Sequence, residues 1–116
     1  MAAAYLAFYP VLCEVARAHG YCLAIHGTLG RDMDLIAIPW TEDAADAPTL
    51  ITALKEKTGS CTHGWENDRF FKDCAPTDKP HGRKAYSLHL TERGSEGAYF
   101  DVSVMPKISK VNVDIV

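Results

Sequence analysis

Residues 26–35 read HGTLGRDMDL and hold the side chains best suited to chemistry. Asp32 and Asp34 follow a Gly-Thr turn, Gly27 and Thr28, and lead into the apolar run LIAIPW. Carboxylates are costly to bury and poor strand formers. A strand that opens with two of them has its mouth in water or holds a cation. Successive side chains of a strand point to opposite faces, so Asp32 and Asp34 share a face, roughly 6.5–7 Å apart at ~3.3 Å per residue. Both can therefore approach one cation from the same side. A third acid, Asp101, lies among Phe100, Val102 and Val104, in a run otherwise fit for a central strand. A charge there needs a partner or an open end. Two acids on one strand and one on a neighbour make an all-oxygen donor set. Such a set suits Mg²⁺ or Mn²⁺, hard cations that keep waters and take substrate phosphates as their remaining ligands.

The turn and a later basic cluster supply the complementary half. Gly27 lets a phosphate approach the backbone, and Thr28 offers a hydroxyl and an N–H. If LGR (29–31) opens a helical turn, its free N–H groups also favour an anion. KPHGRK (79–84) brings Lys79, His81, Arg83 and Lys84, which suit a triphosphate or an acidic partner. Plainer readings stand beside each of these. The acids of a solvated turn cap backbone N–H groups, Arg31 pairs with one of them at the surface, and a basic cluster is a solvated loop. Asp101 then belongs to the exposed face of an antiparallel strand. His26 reads as a hydrogen-bonded structural histidine and His89 as the polar face of a strand. Trp40 and Trp65 suit core or interface packing better than stacking on a base.

The elements that must position these groups follow from periodicity. Tyr5, Phe8, Tyr9, Leu12, Val15 and Ala16 fall on one helical stripe over 4–19, with Pro10 in the first turn or at a kink and Gly20 as the stop. YCLAI (21–25) and DMDLIAIPW (32–40) read as strands, the second covered on both faces, with Pro39 ending it or marking an edge. Asp46 caps a helix with Pro48 in its first turn, Leu50, Ile51, Leu54 and Thr58 on one face, and Gly59 at its close. Ser60 to Lys84 shows no sustained period and reads as a long loop with packed aromatics, Trp65, Phe70 and Phe71. AYSLHLT (85–91) and AYFDVSVM (98–105) read as strands flanking a hairpin loop, and KVNVDIV (110–116) alternates so as to add an edge strand or pack against a partner. The order predicts an α+β domain with a mixed sheet.

Composition bounds the rest. A chain of 116 residues is read as a single domain, 1–116. The net charge of −3 argues against non-specific affinity for long nucleic acid. The N-terminus, MAAAYLAFYP, lacks a basic region and is soon interrupted by Glu14, Arg17 and His19. It is read as neither a signal peptide nor a membrane span, which predicts a cytoplasmic protein with no membrane partner. The four cysteines fit no zinc spacing, Cys61, His63, Cys74 and His81 being the nearest approach. They read as free thiols in a reducing compartment, with Cys13 and Cys22 buried as small hydrophobes.

HGT (26–28), DMD (32–34) and FDV (100–102), in that order, resemble the nucleotidyltransferase superfamily of the DNA polymerase beta type, in its minimal single-domain form. Those domains have a strand ending in Gly-Ser or Gly-Gly, then an Asp-x-Asp strand, then a third acid on a later strand. The resemblance spans roughly Tyr21 to Met105. This turn is shorter than the family's, and Thr28 replaces the usual Ser. The resemblance implies a nucleotidyltransferase-like mixed sheet with helices packed on it and two divalent ions, Mg²⁺ or Mn²⁺. Asp32 and Asp34 would hold the metals, and Asp101 would hold one metal and act as, or assist, the base. The implied activity transfers a nucleoside monophosphate from a nucleoside triphosphate to an acceptor, whether protein, RNA or small molecule. Gly27 and Thr28 of the matched turn, together with Lys79, His81, Arg83 and Lys84 of the basic cluster, would be the nucleotide contacts. Minimal single-domain members often work with a partner, which implies a partner protein or an oligomer here. The rival expectation is a catalytically inactive protein of the same fold that binds or inhibits. A weaker one is a phosphate-ester hydrolase using the same acids.

Overall fold

Helix α1 (Ala2–Ala18) forms because Tyr5, Leu12 and Ala16 recur at helical spacing and bury on one side. Pro10 sits in its interior on the exposed side, which settles the two alternatives left open by the sequence against the first turn. Gly20 adopts φ +84° and ends the helix, a conformation that costs glycine little. This computed structural model describes residues 2–62, 64–66, 69–71, 76–91 and 97–107.

Strand β1 (Tyr21–His26) pairs antiparallel with β2 (Met33–Pro39). Helix α2 (Ala47–Thr58) follows, capped by the Asp46 side chain, which accepts from the Thr49 N–H at 2.9 Å. Gly59, left-handed, closes it by donating to the Lys55 carbonyl at 2.8 Å. These bounds agree with the expected helix and its caps.

The stretch expected to be a long loop is more structured than its sequence suggests. β3 (Gly64–Glu66) and β4 (Arg69–Phe71) pair antiparallel as a separate two-stranded ladder. β5 (Thr77–Lys79) and a 3₁₀ turn (Pro80–Gly82) precede β6 (Arg83–His89). Strands this short carry too few residues to display a period, so local pattern cannot reveal them. β7 (Tyr99–Val104) completes a five-stranded sheet in the order β1-β2-β7-β6-β5. Among the described residues, only the β2–β7 pair of this sheet is parallel, which makes the sheet mixed and the fold α+β, as expected. The expected edge strand at 110–116 lies outside the described residues.

One face of the sheet is the core. Leu23, Met33, Leu35, Ala37, Leu88, Phe100, Val102 and Val104 bury there with Leu12, Leu50 and Leu54 of the two helices. Phe100 makes edge-on contacts with Tyr5 and Phe8 of α1, at 6.1 and 5.4 Å between ring centres. These aromatic pairs fix α1 over the start of β7.

Three expectations about single residues change. Cys22 is exposed and Cys13 only partly buried, because Cys22 alternates with Tyr21 and Leu23 and so points away from the core. His89 is 4% exposed instead of facing solvent, since an isolated bridge to Cys61 extends the sheet beside it. Trp40 is 75% exposed, which removes the core half of the core-or-interface expectation. Among the described residues, no helix is long and apolar enough to cross a membrane.

Candidate metal centre

The other face of the sheet carries the acids, and strand register explains how they meet. Asp34 of β2 lies directly beside Asp101 of β7, His26 of β1 flanks Asp34, and Ser87 of β6 flanks Asp101. All four occupy one row across four strands on the face opposite Met33, Leu35, Phe100 and Val102. Asp32 precedes β2 by one residue; carried one step back, the register sets it beside Tyr99. Carboxylate oxygens of Asp32, Asp34 and Asp101 all lie within 4.8 Å of one another, and each residue is half-buried.

Electrostatics follow from this crowding. Burial, a hydrogen bond with Asp32 and the charges of Asp32 and Asp101 push the Asp34 carboxyl up to about 6, while His26 opposes the shift. Burial and the Asp32 charge also raise Asp101, against the opposing influence of Lys79, His26 and a hydrogen bond from Asp34. Three like charges this close disfavour full ionisation, and a cation between them would relieve that repulsion. The donor set is all oxygen and partly open to water, which fits Mg²⁺ or Mn²⁺ better than a soft metal. The three acids could therefore hold a divalent ion.

The turn before them has a different form from the helical one considered. Residues 27–32 contain no helical turn. Gly27 at φ +78° and Leu29 at φ +61° are both left-handed, and the Gly30 N–H reaches the Thr28 hydroxyl at 3.4 Å. Thr28 is exposed, so its hydroxyl is within reach of a ligand, but the turn offers no helix N-terminus to an anion. Gly27 has a second constraint besides its dihedral. A Cβ at that position would come within 2.6 Å of the Asp34 carboxylate. The glycine therefore leaves open the space over Asp34.

The basic cluster divides by strand parity. Lys79 and Arg83 are register partners on the acid-bearing face, and the Lys79 charge favours ionised Asp101. Arg83 Nε donates to the Pro80 carbonyl at 3.1 Å. Ser87 and Arg83 are four residues apart on β6, about 13 Å at ~3.3 Å per residue, so Arg83 stands at a distance from the acids. Lys84 points to the opposite face and forms an ion pair with Asp78. His81 is exposed at φ +68° in the 3₁₀ turn. Of the four, the structure brings Lys79 into the electrostatic field of the acids. Trp40 lies six residues beyond Asp34, about 20 Å along β2 at ~3.3 Å per residue, and stands away from the centre. Cys74 and His63, considered for zinc, lie outside the described residues, as do the side chains of Trp65, Phe70 and Phe71.

Sequence reasoning missed three neighbours. Tyr99 stands at the start of β7, and its phenol is raised by burial and by the Asp32, Asp101 and Asp34 charges, with Arg31 opposing. His26 was read as structural, yet it is exposed across from Asp34. Tyr5, on the core side, hydrogen-bonds the backbone on both sides of the site. Parity along β7 could have flagged Tyr99, two residues from Asp101; nothing local marks Tyr5. The sequence matches no family model, and neither a curated protein nor a solved structure matches it.

Proposed function

We propose that the acid-bearing end of the sheet binds Mg²⁺ or Mn²⁺ together with a nucleoside triphosphate, and that the protein is a metal-dependent nucleotidyltransferase. The single observation that carries this reading is the convergence of Asp32, Asp34 and Asp101 within 4.8 Å on one open face. Asp32, Asp34 and Asp101 would hold the metal. When bound, a divalent ion polarises a phosphoryl oxygen and offsets charge on the leaving group. Gly27 leaves room beside Asp34 for the triphosphate, Thr28 offers its hydroxyl, and Lys79 lies on the same face to neutralise phosphate charge. By the resemblance, Asp101 would also act as, or assist, the base that takes a proton from an acceptor hydroxyl. The resemblance of HGT, DMD and FDV to nucleotidyltransferases supports the choice of nucleotide over other phosphates. A reducing cytoplasm agrees with the free thiols of Cys13, Cys22 and Cys61.

A second reading, a silent binding or inhibitory protein, is favoured by one feature. The turn lacks the helical N–H groups that would cradle a triphosphate. Two measurements in sequence decide, the first for ligand binding and the second for transfer. Thermal unfolding with Mg²⁺ or Mn²⁺ and ATP is expected to shift upward in wild type and not in Asp34→Asn, by mass-action linkage. Incubation with α-labelled ATP, Mn²⁺ and candidate acceptors then moves the label onto an acceptor and releases unlabelled pyrophosphate for a transferase, and does neither for a binder. No shift with any nucleotide and metal would end the proposal.

A further inference from the structure

We propose that Tyr5 is a positioning residue of the acid centre, its single buried hydroxyl tying together the two backbone segments that carry the carboxylates. This inference rests on the metal-binding reading above. Tyr5 lies on α1, on the core side of the sheet, and is fully buried. Its hydroxyl donates to the Arg31 carbonyl at 2.8 Å, immediately before Asp32. The same oxygen accepts from the Tyr99 N–H at 3.3 Å, two residues before Asp101. One side chain therefore fixes both approaches to the site from beneath.

Two features give this contact weight. The β2–β7 ladder begins at Met33 and Phe100, so Asp32 lies beyond its first rung. Tyr5 supplies a link at the level where the ladder has ended. Secondly, the position needs only an aromatic ring for packing, since Tyr5 meets Phe100 edge-on. A phenylalanine would fill the same space. A buried hydroxyl costs free energy unless it is hydrogen-bonded, and here it bonds at both ends. Its cost is offset where its partners lead to the acids. Groups that orient metal ligands from behind typically change affinity by about 10–100-fold when removed.

The test compares Mn²⁺ affinity at pH 7.5, read by electron paramagnetic resonance, in wild type, Tyr5→Phe and Phe8→Leu. Amide hydrogen exchange of the metal-free proteins is measured in parallel. Phe8 packs on the Phe100 ring as Tyr5 does but has no hydroxyl, so Phe8→Leu controls for lost core packing without removing a hydrogen bond. Tyr5→Phe is expected to weaken Mn²⁺ about tenfold and to speed exchange at the Tyr99 amide. Phe8→Leu is expected to lower Tm and leave the affinity unchanged. Equal Mn²⁺ affinity in Tyr5→Phe and wild type overturns the inference, as does a loss in Phe8→Leu that matches that in Tyr5→Phe. If wild type binds no Mn²⁺, the metal-binding reading falls, and exchange alone decides: unaltered protection of Tyr99 in Tyr5→Phe also overturns the tie. Should Tyr5→Phe fail to fold, wild-type NMR decides. A slowly exchanging Tyr5 hydroxyl proton close to the Tyr99 amide supports the tie, and its absence refutes it.

Discussion

The two faces of β2 and β7 are built from alternate residues of the same strands, yet they obey opposite rules. Met33, Leu35, Phe100 and Val102 point to the helices and are fully buried. Asp34 and Asp101, each one residue away from that set, point to the other side, where with Asp32 they crowd like charges together. The inner face lowers its free energy by removing apolar surface from water. The outer face raises its own by holding carboxylates closer than they would choose. The register that aligns Leu35 with Val102 also aligns Asp34 with Asp101. A stable core thus enforces an unfavourable cluster, a trade expected where a site is selected for binding a ligand.

Breaking the inner face should have the largest effect. Phe100→Ala removes a buried ring between Tyr5 and Phe8 and is expected to cost about 3–5 kcal/mol, measured by urea unfolding. On the boundary between the faces, Gly27→Ala forces a side chain into a left-handed position and onto Asp34. We expect a loss of about 1–2 kcal/mol from the backbone alone, with a further fall in metal affinity, read by the same unfolding curves with and without Mn²⁺. The outer face should respond to pH with a smaller effect of opposite sense to ordinary salt-bridged carboxylates. Asp34 rises from 3.8 to about 6 on folding, so the folded state holds its proton more tightly. The associated stability is present below pH 4 and is lost as pH rises through 6. Because Asp34 is partly solvated, the change should be of order 1 kcal/mol. Asp34→Asn should flatten that part of the metal-free profile. A wild-type profile that instead gains stability over pH 4–6 and is unchanged by Asp34→Asn would contradict the crowding.

Much of this contrast was legible in the sequence. The alternation of Phe100, Asp101, Val102 in one run states that the acid faces away from the core. Gly59, Asp46 and Pro48 bracket α2 because caps act locally. What escaped depends on residues far apart in the chain. The parallel pairing of β2 with β7 aligns Asp34 with Asp101 across 67 residues, and no local pattern encodes register. Tyr5 joins Arg31 and Tyr99 through one oxygen, a relation visible only in three dimensions. The helical turn considered at LGR fails because the connection between β1 and β2 is a tight antiparallel return, which uses left-handed residues. Lys84 looked equivalent to Lys79 and Arg83 in the basic cluster, but its even position on β6 sends it to the other face.

The central claim is that three acids on the outer face form one cation site, and Mn²⁺ titration followed by electron paramagnetic resonance at pH 7.5 tests it most directly. Wild type should show saturable binding that Asp101→Asn strongly weakens while the folded state is retained, because Asp101 reaches the site from a different strand than the other two acids. Non-saturable binding in wild type, or undiminished affinity in folded Asp101→Asn, would contradict the account.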